Sequence, residues 1–493
     1  MICMRKVAYF VSAAILAGCG GGGGSSPTPT TSSGSNVTTQ SVPQTTQRFI
    51  EVPNALRMDQ PFSNTITKME VLDISGDGRD DIVVHQWLLG TNTNRSEPCP
   101  NALKVYVMQP DNTFAEQTVS YFQGSADLKG CSRKLRVADI NQDNKLDLVL
   151  AMNNEDGRSS TNPNDYNVQN FALISDGASY YGQKFGTPLW YHSIGVGYDV
   201  NNKPFVMGAA YTGVDNNAYY FNNRQHTPTL VKGLESLSPN TFEFVSKLGS
   251  KKHTTLVLQG SNTFPNFGTA EGFTQNSDGS WSKATAHTFA PVIGTVKGVS
   301  WNTTATTAHI VKYKDYNLAF AGVADSCKLR MTPDSEPIVV FVFSGQKVNN
   351  WDANTTIVEG GNNMSFFVGA TIKNNKVEEV PLNIEGEIVE VWGEAECKDV
   401  NNDGYDDILR YPHSKNGLPY IYLNTKNNGF KLYDVSNLPS VNTGWAPNSS
   451  RSATSIVHDF DKDGFADILI YPHMDVKDVA RVTYKFYRGQ KAL

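Results

Sequence analysis

Asp459-Phe-Asp461-Lys-Asp463-Gly-Phe465-Ala-Asp467 decides how this chain is read, because the pattern occurs three more times. The other copies are Asp73-Ile-Ser75-Gly-Asp77-Gly-Arg79-Asp-Asp81, Asp139-Ile-Asn141-Gln-Asp143-Asn-Lys145-Leu-Asp147 and Asp399-Val-Asn401-Asn-Asp403-Gly-Tyr405-Asp-Asp407. Counted from the first Asp, oxygen-bearing side chains fall at positions 1, 3, 5 and 9, with Gly or Asn at position 6. A hard cation such as Ca²⁺ takes six to eight oxygens at roughly 2.3–2.6 Å, so a short loop must curl around it. Gly at position 6 supplies the bend, and Asn144 is a non-Gly residue that tolerates the same backbone. The backbone carbonyl of position 7 is a further expected ligand, which leaves its side chain free to vary as Arg79, Lys145, Tyr405 and Phe465 do.

The flanks decide which calcium loop this is. An EF-hand carries Glu at position 12 between two helices. Position 12 here is Val84, Leu150, Arg410 and Ile470, so that reading fails. Short β-branched or aliphatic runs follow instead (Ile82-Val83-Val84, Leu148-Val149-Leu150, Ile408-Leu409, Ile468-Leu469-Ile470) and read as buried strands. Position 2 is apolar each time (Ile74, Ile140, Val400, Phe460), which pins the loop to a core. The unit is strand, loop, strand.

Upstream, Arg5 and Lys6 precede an apolar run from Val7 to Leu16, too short to span a bilayer and shaped like a secretory leader over residues 1–18. Its end, Leu16-Ala17-Gly18-Cys19, resembles the lipobox of bacterial lipoproteins, which implies a lipidated Cys19 and an anchor in the cell envelope, at the outer membrane. Residues 19–47 then form an uncharged Gly/Ser/Thr/Pro tether with a reach of about 30 Å. The head, 48–493, is long enough for a sizeable core. Loss of Arg5 and Lys6 moves the formal charge from −6 to about −8, and no basic stripe suggests nucleic acid. Four further cysteines, Cys99, Cys131, Cys327 and Cys397, suit two disulfides in an exported chain. Chain order suggests Cys99–Cys131 and Cys327–Cys397, with the other connectivities open.

The loops recur after roughly sixty residues at each end of the chain, and aromatic strands followed by polar turns fill the interval between them. Tyr106 with Asp111-Asn112 and Tyr422 with Asn427-Asn428 are the clearest of these. Strand-rich units repeated around an axis make an all-β propeller, here expected to have seven blades with calcium loops in four. The residues resemble the FG-GAP/VCBS repeats best known from the integrin α-subunit head. The resemblance implies about four structural Ca²⁺ ions. Their ligands would be Asp73, Ser75, Asp77 and Asp81; Asp139, Asn141, Asp143 and Asp147; Asp399, Asn401, Asp403 and Asp407; and Asp459, Asp461, Asp463 and Asp467. Asp199-Val-Asn201-Asn-Lys203-Pro204 departs from the pattern and is read as metal-free.

The histidines are scattered and form no recognisable hydrolytic motif. Tyr411-Pro412-His413 and Tyr471-Pro472-His473 repeat after the loops and read as packing at the end of the second strand. Trp87, Trp190, Trp281, Trp301, Trp351 and Trp445 are aromatic candidates for a sugar face, with core packing the commoner use of each. The expectation is a calcium-stabilised, lipid-anchored binding or adhesion module for a glycan or protein ligand, without catalysis. A polysaccharide lyase or hydrolase on the same propeller is the alternative.

Overall fold

The computed structural model describes residues 47–58, 65–88, 101–122, 131–153, 167–177, 179–212, 215–234, 241–248, 253–260, 268–299, 305–349, 352, 355–358, 363–385, 393–412, 418–427, 429–433, 452–475 and 484–491. The leader, Cys19, the tether up to residue 46, Cys99, His413, Trp301, Trp351 and Trp445 lie outside these. Among the described residues no helix is long and apolar enough to cross a membrane. The chain is all-β, with a single helical turn, Thr118–Tyr121, among the described residues.

Each Asp-rich loop joins two antiparallel strands, and its position 9 opens the second. Thr65–Leu72 leads into Asp81–Leu88, Cys131–Ala138 into Asp147–Asn153, Gly393–Lys398 into Asp407–Pro412, and Ser452–His458 into Asp467–Asp475. The second strands are interior to their sheets, and Asp147–Asn153 is buried at every position. That is why they are written in Ile, Val and Leu rather than in an alternating pattern. Position 2 is buried in every loop: Ile74, Ile140, Val400 and Phe460 all stand in the core.

Third and fourth strands complete these units: Asn101–Met108 and Phe114–Glu116, Val168–Ser175 and the start of Tyr180–Tyr198, Tyr420–Asn424 and Gly429–Tyr433. The last unit has Lys485–Lys491 as its third strand and takes its fourth from the other end of the chain. Gln47–Val52 pairs antiparallel with it, Phe49 opposite Gly489 and Glu51 opposite Tyr487, and Lys485 forms an ion pair with Glu51. The ladder begins at Gln47, inside the expected tether.

Four blades of this regular form are present, not the seven expected. The described strands gather into five hydrogen-bonded sheets of eight, seven, five, seven and five strands. Two long strands are the reason. Tyr180–Tyr198 runs nineteen residues, pairing with Val168–Ser175 through its first half and with Pro204–Thr212 through its second. Gly186, at φ +84°, bends it without ending it. Tyr316–Leu329 similarly pairs first with Ala305–Tyr313 and then with Ile338–Lys347, so the middle of the chain does not break into equal units. The first strands of successive sheets nevertheless stand side by side in a closed, propeller-like arrangement.

One covalent link reinforces it. Cys327 and Cys397 form a disulfide between Tyr316–Leu329 and Gly393–Lys398, two neighbouring first strands. Cys131 is also disulfide-bonded.

Deleting residues 47–52 removes six register pairs and leaves Lys485–Lys491 as an open edge. With ladder hydrogen bonds worth about 1 kcal/mol each, the truncated chain should lose at least ~3 kcal/mol in urea denaturation. An unchanged midpoint would refute closure by this strand.

Candidate functional site

The four loops share one hydrogen-bond scheme. The position 1 carboxylate accepts the amide N–H groups of positions 5 and 6, as in Asp463 N to Asp459 Oδ1 (3.0 Å) and Gly464 N to Asp459 Oδ2 (2.9 Å). The same pair of bonds ties Asp77 and Gly78 to Asp73, Asp143 and Asn144 to Asp139, and Asp403 and Gly404 to Asp399. Position 5 accepts the N–H of position 7: Arg79 to Asp77, Lys145 to Asp143, Tyr405 to Asp403 and Phe465 to Asp463, all at 2.9–3.0 Å. Gly78, Asn144, Gly404 and Gly464 have positive φ, as position 6 requires. Position 4 does so too, through Gly76, Gln142, Asn402 and Lys462, which the mixed residue types there conceal.

Position 9 does something the spacing alone does not reveal. Asp81, Asp147, Asp407 and Asp467 are fully buried, and each spends both oxygens on backbone amides. One amide is in its own loop: Ser75, Ile140, Val400 or Phe460. The other is at the third strand: Met108, Ser175, Asn424 or Gly489, each at 2.8 Å. Burial raises these carboxyls against the pull of the amides, and neighbouring loop acids add to it. Asp147 and Asp407 are pushed up to about 7 and Asp467 to about 8.

The donor set fits a hard cation. Asp459, Asp461 and Asp463 each bring a carboxylate oxygen within 4.8 Å of the others. In the loop that lacks Gly, Asp143 Oδ2 is buried with no hydrogen-bond partner, an orphaned anionic oxygen. Basic side chains lean on the remaining acids: Arg488 on Asp461 (2.7 Å) and Asp463 (2.9 Å), Arg79 on Asp77 (2.5 Å), and Lys426 on Asp403 (3.3 Å). At position 7, Lys145 reaches the Gly177 carbonyl (2.8 Å), and Tyr405 lies beneath Lys426.

A second cluster lies where the first strands meet. Side chains alternate along a strand, so residues three and five before each loop's first Asp share a face. These are Glu70 and Lys68, Arg136 and Lys134, Glu396 and Glu394, and Ile456 and Thr454. Three of their ion pairs reach between distant strands, and the fourth, Lys398 with Glu396, lies within one. Lys134 pairs with Asp325, Lys68 with Glu394, Arg136 with Glu243 (2.6 Å) and Lys398 with Glu396 (2.8 Å). Ser326 donates to Glu243 (3.1 Å), Ala395 N to Asp325 (2.8 Å), and Tyr411 Oη to Glu396 (2.8 Å). Burial works against the charge on Asp325, but Lys134 and the Ala395 amide outweigh it and hold its pKa down. Glu394 and Glu396 keep 40% and 44% of their side-chain surface while Asp325 and Glu243 fall below 10%, so cover is uneven across the cluster. Glu70 has no hydrogen bond or ion pair among the described residues and is only partly covered. Desolvation and then the Glu396 charge push its pKa up to about 7, against Arg136, Lys134 and Lys398.

The sequence reading missed this axis, although the signal was there: charged residues at fixed offsets before three of the four loops. The aromatic candidates point elsewhere. Trp87, Trp190 and Trp281 are buried and belong to the core, not to an exposed sugar-binding face. Tyr411 and Tyr471 are buried at the ends of second strands, so packing is correct for both, and Tyr411 also holds Glu396. Asp199 receives the Asn201 and Lys203 amides of its own turn (2.8 and 2.9 Å) and also bonds the Tyr220 hydroxyl.

Residues 73–150 and 399–470 match the FG-GAP-like repeat family. A comparison with curated proteins returns no match. Among solved structures, the chain is similar to an Agrocybe aegerita lectin described as recognising non-reducing terminal N-acetylglucosamine, at 14% identity, covering 86% of this chain and 80% of that one, TM-score 0.27. It is also similar to AofleA from Arthrobotrys oligospora (9% identity, 91% and 90% covered, TM-score 0.34). A third is a Bacillus licheniformis rhamnogalacturonan lyase (10% identity, 89% and 75% covered, TM-score 0.35).

The buried position 9 acids give a pH signature in chelator. Their folded pKa lies above the unfolded value, so the fold holds protons that the unfolded chain has already released, and this stability is lost as pH rises through about 7 and 8. Below about 6.5 the buried His85, pushed down to about 3 by desolvation, works in the opposite sense. The clean window is therefore pH 6.5 to 8, where stability should fall. Asp467→Asn should start about 1–3 kcal/mol lower, since one of its two amides then faces an NH₂ group, but with a shallower slope. A slope unchanged in that variant would contradict the assignment.

Proposed function

We propose that the protein is a calcium-stabilised, lipid-anchored binding module of the cell envelope that takes a glycan at its axial opening without transforming it. One observation carries this: side chains from several distant strands converge there in a mixed set of hydrogen-bond donors and acceptors, part buried and part wet. Hydroxyl-rich ligands are held by such convergent polar groups. The Asp-rich loops are a poorer place for chemistry, because their carboxylates are turned onto their own backbone. Asp73, Ser75, Asp77 and Asp81 and their counterparts in the other three loops would hold Ca²⁺. The ion supplies charge neutralisation there. The chain's own residues fix the loop shape through the amide bonds described above, and the buried position 9 carboxylates tie each loop to its third strand. Cys19 would carry the lipid and residues 20–46 the tether.

The polysaccharide-degrading alternative is favoured by one specific feature, Glu70. A carboxyl titrating near 7 matches what a general acid or base needs at neutral pH.

A polysaccharide panel read for both retention and product release separates the two. Retention without new chain ends supports the binding module. Product release that disappears in Glu70→Gln decides for the enzyme. Chelation should lower the melting temperature and added Ca²⁺ restore it, with about 2.7 kcal/mol per site at a hundredfold excess over Kd. Asp461→Ala should remove one site's share and leave the fold intact, whereas indifference to chelator would end the calcium assignment.

A further inference from the structure

Among the described residues, the acids and bases around the axis pair off with one acid left over. Each of the four bases takes one acid: Lys68 with Glu394, Lys134 with Asp325, Arg136 with Glu243, and Lys398 with Glu396. His458 joins this set to the neighbouring loop, meeting Lys398 Nζ at Nδ1 (3.4 Å) and Asp80 at Nε2 (2.6 Å), and Lys462 also meets Asp80. Glu70 is the fifth acid. It has no ion pair or hydrogen bond among the described residues, yet it lies deep among protein atoms and keeps solvent-accessible surface. It is the acid of this set left without a direct partner, within range of the charges on Glu396, Arg136, Lys134 and Lys398.

The chemistry of the missing partner follows. A divalent cation is a poor occupant, since one free carboxylate offers two of the six to eight oxygens that Ca²⁺ requires. An anion would meet bases already engaged and an acid that repels it. A primary ammonium carries one positive charge and three donors in a compact head. One donor can meet Glu70, while Glu394 and Glu396, already paired with Lys68 and Lys398, keep part of their surface for the hydroxyls that flank it. We propose that the axial opening holds the ammonium group of an amino sugar against Glu70, with the flanking sugar hydroxyls on the wet acids of the rim. This rests on the glycan-binding reading and names the ligand class within it. A bound ammonium also favours the ionised form of Glu70, so ligand should lower that group's titration midpoint.

The test compares a fully deacetylated glucosamine oligosaccharide with its N-acetylated counterpart by calorimetry at pH 7.5, together with ethanolamine as a sugar-free ammonium. The expected result is binding of the deacetylated oligomer at least ten times tighter than the acetylated one. Glu70→Gln, of nearly equal shape and checked by thermal melting, should abolish that preference. In the wild-type protein, isotope-edited NMR of Glu70 should show its midpoint moving down as the deacetylated oligomer is added, a readout independent of whether the variant folds. Equal binding of both oligomers, or a preference that survives in Glu70→Gln, overturns the ammonium site and leaves glycan binding standing. If ethanolamine moves the Glu70 midpoint while neither oligomer binds, the sugar is the wrong source of the ammonium and the amino-sugar proposal is overturned, the glycan reading being decided by the polysaccharide panel.

Discussion

A buried carboxylate opening the second strand of each regular blade is the interaction on which the rest depends. Asp81, Asp147, Asp407 and Asp467 are shielded from water, and burying an isolated charge is costly unless donors surround it. Two backbone amides do so in every blade, one from the loop before and one from the third strand after. The same side chain thereby fixes the loop's exit angle and the register between second and third strands. A one-residue slip of that register would move the amide away and strand the carboxylate.

Adjacent blades are coupled by another residue of the loops, at position 8. Asp80 receives His458 and Lys462 from the last unit, and its own amide donates to the Phe460 carbonyl (2.8 Å). Asp406 takes the Arg330 amide (2.7 Å) and guanidinium from the preceding sheet. Leu146 and Ala466, at position 8 of the other two loops, have no side-chain charge for such an ion pair. The loops therefore have two faces, one turned onto their own amides and one turned to a neighbour. Paired acids and bases on the first strands add a third layer of contact along the axis.

Much of this was legible in the sequence where a local rule governs. The loop pattern with its apolar flanks identified the first and second strands, because curling a chain around carboxylates and inserting the next run into a sheet both act within a dozen residues. The blade count was not legible. Nothing in Tyr180–Tyr198 signals that one strand serves two partners, since Gly186 reads equally well as a turn. Trp87, Trp190 and Trp281 looked available because polar residues surround them in sequence, whereas strand pairing takes all three inside. The axis escaped for a related reason: Lys134 and Asp325 are 191 residues apart, and only the ring brings them together.

Closure by Gln47–Val52 has a consequence for the order of events in folding. Its partner, Lys485–Lys491, is more than four hundred residues away, so the first strand to emerge must wait for the last. Loop-closure entropy rises only slowly with chain length, so the delay is one of sequence rather than of energy. The internal blades can form as soon as their own strands exist, while the seam stays open until nearly the whole chain is present. The assembly is thus a clasped bracelet: its links are made one at a time, and its integrity is decided at a single late event.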